Sequence, residues 1–554
     1  MIRLWRMDSP KPVWAARRVQ LGLRRLGAVV LLAAFPALAA TPAQEQVTRD
    51  FQKTLTLAAG QTVRIEHKFG EVQIHGESGR ELKISATIHA QANSRAEAEA
   101  FAGKIRIEVE QTGQGVLIRT IYPEGENTFF HSRKNTSYSV DYNIIMPSDA
   151  ALYVKNNFGN VSASGIHSKV EIDDSHGQLS LRDSGAARLT EAFGGVELTG
   201  AAGNVTITNN NGSVTAADVK GSLEVRNRFG NITASKIQGA VTIAGGNGPV
   251  ELADAGDPVT INNSFGPVTA RNVRGNLTVN DTNGNIDVSN VTGMAALNGS
   301  FGSISFVNVS GNVACTATNS RVKGVQAGDN VSVQTSFGEV ALEQINGSVD
   351  VQDTNGNVTV RDVKGFAKFT TSFGSIEASG LRKGVRATTG NGRIHLTDIG
   401  GNTYAKTSFG PIHVERISGN LTVENSNGPV SASAVKGELT AKTSFASASA
   451  EDISGHINIE NANGSITISA ARSSSACQNI SAKTSFSPIQ VRLAEGAGYD
   501  VSARTSFGRI TTDLPVTASG ELGGDSLNGK IGKGGCILSL VNSNGNIEIL
   551  KLSK

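Results

Sequence analysis

Cysteine and tryptophan are nearly missing from this chain. There are three cysteines (Cys315, Cys477, Cys536) and two tryptophans (Trp5, Trp14), and charged residues make up only 18% of 554 positions. Three scattered cysteines cannot form a disulfide framework, and no C-x-x-C pair offers a redox or zinc centre. A Cys477–Cys536 bridge stays open in an oxidising compartment. Cys315 falls at a strand position suited to a small buried side chain. Beyond residue 40 no apolar run is long enough to span a membrane. Basicity is missing as well. The first 40 residues hold seven Lys or Arg against Asp8, a net +6, and the whole chain is +3, so the remainder carries −3. No nucleic-acid partner is expected.

The basic opening has another use. It precedes an apolar run, Leu26 to Phe35, and then Ala37-Leu38-Ala39, the pattern of a secretory signal cleaved after Ala39 or Ala40. Arg17-Arg18 leaves a twin-arginine route open, and an uncleaved anchor is the alternative. Removal of the leader takes both tryptophans with it.

The chain is rich in glycine (63 residues), and it is periodic. Phe193, Phe229, Phe265, Phe301, Phe337, Phe373, Phe409 and Phe445 recur every 36 residues. All but the last precede a glycine: Gly194, Gly230, Gly266, Gly302, Gly338, Gly374 and Gly410. Midway between them stand Asn211, Asn247, Asn283, Asn319, Asn355, Asn391, Asn427 and Asn463, each but Asn319 followed by Gly. The unit is therefore 18 residues, with Phe and Asn alternating at one position, and a fixed short period predicts a solenoid.

Within a unit, apolar residues alternate with polar ones (Ile412 and Val414, Leu421 and Val423, Val430 and Ala432), which predicts two short strands and two turns. Asn-Gly tolerates the positive φ of a tight turn. A hairpin reading does not explain identical units in register. Coiling does, with equivalent strands of successive rungs paired in parallel ~4.8 Å apart. Leu421 should then stack among Val385, Thr403 and Leu439. About 18 rungs between Phe158 and Phe486 give a rod ~80–90 Å long.

The Phe/Asn position admits two readings. In the first, and the more usual for regularly spaced aromatics, Phe packs at a corner of the coil and Asn relieves crowding on alternate rungs. In the second, the rings form an exposed, adhesive stripe ~9.6 Å apart.

Residues 61–150 depart from the repeat. Strands are expected around Val63–Ile65, Val72–Ile74 and Leu82–Ile84, and a helix from Ser94, with Ser94 and Glu97 placed as a capping box. A strand pair (105–109, 116–121), a polar loop (124–137) and a strand (138–146) follow. This segment should cap the rod's open edge. The period slips after about Ala470. The expected organisation is a signal peptide (1–40), a β-rich cap (41–150), a regular solenoid (151–472) and irregular final rungs with a C-terminal cap (473–554).

The Val140-to-Pro147 segment VDYNIIMP, followed by repeats such as NFGNVSASGI (Asn157 to Ile166), resembles the bacterial putative-adhesin family of β-strand-repeat proteins, a domain of unknown function. The resemblance covers roughly 60–554 and implies an adhesive role but no catalytic residue.

Parallel β-helices also carry polysaccharide lyases and hydrolases, which need carboxylates within about 5–10 Å of each other. Asp281 and Asp353 occupy matching positions four rungs apart, too far to cooperate. Asp218, Asp362 and Asp452 are likewise spread out. Asp173 and Asp174 near His176 read as an acidic turn. His67 and His75, on paired strands of one hairpin, could share a metal but lack a third ligand; His89 follows at strand spacing. His395 and His413 stack on neighbouring rungs with no acid beside them. No calcium nonapeptide and no G-x-S-x-G motif occurs.

The expectation is an all-β fold, a parallel β-helix or β-solenoid of ~18-residue rungs with an N-terminal β-rich cap containing one short helix. Its expected function is non-enzymatic: an exported adhesin or envelope-associated binding or structural protein acting through a repetitive surface, without cofactor or metal. Partners would be envelope or extracellular polysaccharide, or a protein surface. The candidate face is Phe193, Phe229, Phe265, Phe301, Phe337, Phe373 and Phe409. Their glycines, with Asn247, Asn283, Asn355, Asn391 and Asn427, serve as structural turns. A lyase or hydrolase on the same fold and a filament former are the alternatives.

Overall fold

A computed structural model describes residues 44–123, 136–470, 477–519 and 523–552. The leader, most of the polar stretch 124–137 and the insertion Ser473 to Ser475 lie outside the described residues. Glu45–Lys554 form one compact unit.

One rung illustrates the coil. Val259–Phe265 runs to the turn at Gly266, and Val268–Val273 returns. The next rung repeats the course: Leu277–Asn283 pairs in parallel with the first strand (Val259 opposite Leu277) and Ile286–Val291 with the second (Val268 opposite Ile286). Strands within the repeat therefore alternate between two facing parallel sheets, as coiling requires. Thr403, Leu421 and Leu439 are register partners, continuing from Val385. The hairpin placing His67 beside His75 does not form. Thr62–Glu66 and Val72–Glu77 sit in opposite sheets, each paired with the rung Ala151–Lys155 and Val161–Ile166.

The interior is narrow, as two sheets pack only ~10 Å apart. Val259, Ile261 and Asn263 point inward from one strand, and Val268, Ala270 and Val273 from the other. The last inward step spans three residues rather than two. Asn272, just before Val273, takes φ +56° and swings the chain back toward the core. The same bend recurs each rung, at Asp254, Asn290 and Asn308 among others, and falls mostly on Asp and Asn, which tolerate the left-handed region. Asp218, Asp362 and Asp452 belong to this series. A column of amides runs along it, with Asn290 Nδ2 donating to Asn272 Oδ1 at 3.0 Å and Asn308 to Asn290 at 2.9 Å. Volume is balanced between rungs: Phe306 is fully buried, and a Cβ on Gly324, one rung on, would lie 2.0 Å from its ring.

The ends depart from the repeat to close its open edges. At the N-terminal end, Gly115–Ile121 and Ser137–Pro147 lie outside the rung of Thr62–Glu66 and Val72–Glu77. Antiparallel strands finish both sheets: Arg106–Thr112 on one, Glu81–Ala92 and then Glu45–Thr56 on the other. The helix Arg95–Ala102 starts at Ser94, whose side chain accepts from Glu97 N, and buries Ala98, Phe101 and Ala102.

At the C-terminal end the order along the rod breaks from the order along the chain. Ile480–Lys483 and Ile489–Leu493 stack on the preceding rung. The next rung outward is Cys536–Val541 with Ile547–Lys551. Tyr499–Arg504 and Ile510–Thr512 lie outside that one, and Ser526–Ile531 closes the sheet antiparallel. A Cys477–Cys536 disulfide, Cα to Cα 5.3 Å, joins two neighbouring rungs where the chain order is interrupted.

Candidate functional site: an aromatic edge

Two residues before most of the Phe and Asn positions of the repeat a polar side chain is buried, as at Asn209, Asn227, Asn263, Thr371 and Thr389, whereas Gly245, Gly299 and Ala317 take that place on three rungs. This side chain holds the turn. Asn227 Nδ2 donates to the carbonyls of Gly212 (3.0 Å) and Gly230 (3.1 Å), while Thr371 Oγ1 accepts from Gly374 N (3.1 Å). The inward slot is thus filled, and the next positions round the turn must point away from the core. The glycine after the Phe is fixed by close stacking. A Cβ on Gly230, at φ +119°, would lie 2.3 Å from Gly212 O, and one on Gly374 would lie 1.7 Å from Gly356 O. At Gly374 this approach of neighbouring backbones, rather than a left-handed φ, excludes a side chain.

The corner-packing reading of the phenylalanines is therefore overturned. Phe193, Phe229, Phe265, Phe301, Phe337, Phe373 and Phe409 are 41–62% exposed and form one row along an edge of the solenoid. Phe445, Phe486 and Phe507 prolong it. Asn211, Asn247, Asn283, Asn355, Asn391 and Asn427 take the rungs between. Asn355 and Asn427 donate to the carbonyls of Ser336 and Ser408 on the preceding rung, both at 3.1 Å. The crowding argument for the alternation fails too. At the N-terminal end, rings on successive rungs stack: Phe69 on Phe158 (5.4 Å between centroids), Phe158 on His176 (4.6 Å) and His176 on Phe193 (4.9 Å), all within 18° of parallel.

Beneath that column Asp174, expected in an acidic turn, lies instead on the strand Val170–His176 and meets Glu191, a partner the sequence did not reveal. Asp174 and Glu191 are register partners on adjacent rungs, 4% and 1% exposed. Asp174 Oδ1 accepts from Ser175 N at 2.8 Å, and Glu191 Oε1 from Ala192 N and Phe193 N at 3.0 Å. Burial raises both carboxyls, Glu191 to about 7, and the Asp174 charge adds to the rise at Glu191. Their other oxygens, Asp174 Oδ2 and Glu191 Oε2, are buried and accept no hydrogen bond, so the site favours the protonated form. The pair is 17 residues apart, not 18, because the turn Ser184 to Ala187 is one residue short, so a search at the repeat period passes over it.

The other candidates do not converge. Asp281 is buried at its turn, with its carboxyl pushed up to about 6, and Asp353 lies four rungs away. His67 is buried, which lowers its pKa to about 4, and bonds Thr120 Oγ1 at 3.1 Å. His75 bonds Ser164 at 3.0 Å, and His89 pairs with Asp141 at 3.2 Å. The His395 and His413 rings stand 5.0 Å apart on the surface, where Glu377 is the register partner of His395 and Glu415 lies 3.9 Å from His413. Among the described residues no three His, Cys, Asp or Glu gather to hold a metal ion, and no helix is long and apolar enough to cross a membrane.

No family model matches the chain, and no curated protein does. A solved structure described as a putative cell adhesion protein from Clostridium sporogenes aligns with 36% of this chain and 100% of its own length, at 15% identity and a TM-score of 0.17. A likeness of that size carries no argument about this chain.

Proposed function

We propose that this chain is an exported, non-catalytic β-solenoid of the bacterial envelope that binds through its phenylalanine edge. The observation that carries this reading is the row itself: aromatic rings about half exposed, one every second rung, over the length of the repeat. Monomeric soluble proteins seldom leave apolar side chains aligned over such a length without a partner. Each ring contributes weakly, and fixed spacing on a rigid support sums the contributions, so affinity should grow with the number of rungs engaged. The leader pattern and the Cys477–Cys536 bridge support export to an oxidising compartment. The motifs at Val140 to Pro147 and Asn157 to Ile166, which resemble those of β-strand-repeat adhesins, are compatible with a role in attachment.

The enzyme alternative has one specific observation behind it, the Asp174–Glu191 pair. Its burial argues against it, because a sugar cannot reach carboxylates that are 4% and 1% exposed. Binding of the purified mature protein to a panel of envelope and extracellular polysaccharides, with reducing-end release assayed in the same wells, tests both. Binding that weakens at least tenfold in a Phe301→Ser/Phe337→Ser/Phe373→Ser/Phe409→Ser variant, without release, is expected. Release of reducing ends by the wild-type protein would replace this proposal with an enzyme.

A further inference from the structure

We infer that the phenylalanine edge pairs with the same edge of a second copy of this chain, the rings of each filling the asparagine gaps of the other. The inference rests on reading the edge as a contact surface, but not on any carbohydrate ligand. Three observations carry it.

The first is spacing. Rings on alternate rungs lie ~9.6 Å apart. A ring inserted midway would have neighbours at ~4.8 Å. The chain already packs rings at that distance in its N-terminal column, at 4.6–5.4 Å between near-parallel centroids. The shorter Asn, drawn back onto the preceding rung's carbonyl at Asn283, Asn355 and Asn427, leaves the slot open. A second copy has the matching period by construction, and knobs that alternate with holes are self-complementary about a two-fold axis.

The second is charge. The residue just before the ring is small and neutral at Ser264, Ser300, Ser336, Ser372 and Ser408 and charged at Arg228, and charges further round the turn are paired with opposite ones, Arg321 with Glu339 at 3.4 Å and Lys406 with Glu424 at 2.8 Å. Two such edges meet without the like-charge repulsion that opposes most self-pairing surfaces.

The third is area. A phenylalanine side chain offers ~150–250 Å², so a half-exposed ring contributes ~100 Å². The eight rings from Phe193 to Phe445 then supply ~800 Å² per chain, the size of one side of a stable interface.

The test is sedimentation velocity of the whole mature chain across ~1–100 µM without added ligand. The wild type should run as a concentration-dependent dimer. The Phe301→Ser/Phe337→Ser/Phe373→Ser/Phe409→Ser variant should be monomeric, with unchanged circular dichroism. The decisive variant is Asn355→Phe/Asn391→Phe/Asn427→Phe, which adds apolar surface but fills the holes. Interlocking predicts that it loses pairing; general stickiness predicts that it gains. A monomeric wild type at the highest concentration, or a hole-filled variant that associates as well as the wild type, overturns the inference. Polysaccharide binding by a strictly monomeric protein would sink it while leaving the proposed function intact. Ligand-free dimers that bind no polysaccharide would do the reverse.

Discussion

At the N-terminal end of the solenoid, Phe69, Phe158, His176 and Phe193 stack rung upon rung, and Phe69 is only 8% exposed beneath Tyr122 and Tyr138. Further along, every second ring is replaced by Asn, and the remaining rings stand 41–63% exposed. Parallel rungs support both regions, although the step from His176 to Phe193 is 17 residues where the later steps are 18. An unbroken column is sterically acceptable, so the gaps in the middle are not imposed by crowding. They call for another cause, and a surface that receives rings from outside supplies one. Under the cap Phe69 belongs to the core, and from Phe193 onward the rings stand about half exposed among the described residues.

The largest effect should come from setting the two regions against each other. Phe69→Ala removes a buried ring and should cost roughly 3–5 kcal/mol in denaturant unfolding. Phe373→Ala, at 61% exposure, should change stability by less than about 0.5 kcal/mol. Equal costs would mean that the middle rings are core after all.

Next in size is the C-terminal junction. Opening the Cys477–Cys536 bridge, by reduction or by Cys536→Ser, should cost roughly 2–4 kcal/mol locally. Hydrogen exchange should speed up across residues 499–551 and stay unchanged between Phe193 and Phe445. Uniform acceleration would show that the ends and the middle unfold as one.

A smaller effect separates the regions by pH. Glu191 holds its proton up to about pH 7 when folded, against 4.5 for a free glutamate. The folded state binds more protons than the unfolded one in that window, so this group's contribution declines as pH rises from 4.5 to 7 and levels off above. Since His67 and Asp281 also titrate in this window, with opposite signs, the measure is the comparison with a variant: between pH 5 and pH 8 the wild type should lose more stability than Glu191→Gln. The two pH profiles should differ by on the order of 1–2 kcal/mol. A variant as pH-sensitive as the wild type would acquit the pair.

The smallest test converts one region into the other. Asn391→Phe should stack on Phe373 and Phe409 within a monomer and add roughly 0.5–1 kcal/mol. A loss of stability would show that the N-terminal column depends on its cap.

How much of this could be read in advance follows from what a period encodes. Recurrence of Phe301, Phe337 and Phe373 fixes the rung and the parallel pairing, because only stacking gives identical units identical surroundings. Ser94 and Glu97 announced the helix through a local hydrogen bond. A period does not say which side of a turn faces in. That depends on the buried side chain two positions earlier, Asn227 before Phe229, and on the bend at residues such as Asn272, where alternation skips a beat. The pairing of Asp174 with Glu191 escaped because one short turn moved the two out of phase. The order of the last rungs escaped because a repeat specifies what a rung looks like, not which rung it joins.

That order governs assembly. A chain coiling as it is made can add rungs singly as far as Leu493. The following strands, Tyr499–Arg504 and Ile510–Thr512, have no native edge to join until Cys536–Val541 and Ile547–Lys551 are in place between them and the stack. Through that interval the growing rod keeps two bare parallel edges of Ile480–Lys483 and Ile489–Leu493, the kind of surface on which strands of another molecule can nucleate. A protein built to add units without limit thus carries its own stop, a late-made wedge without which the growing end stays open.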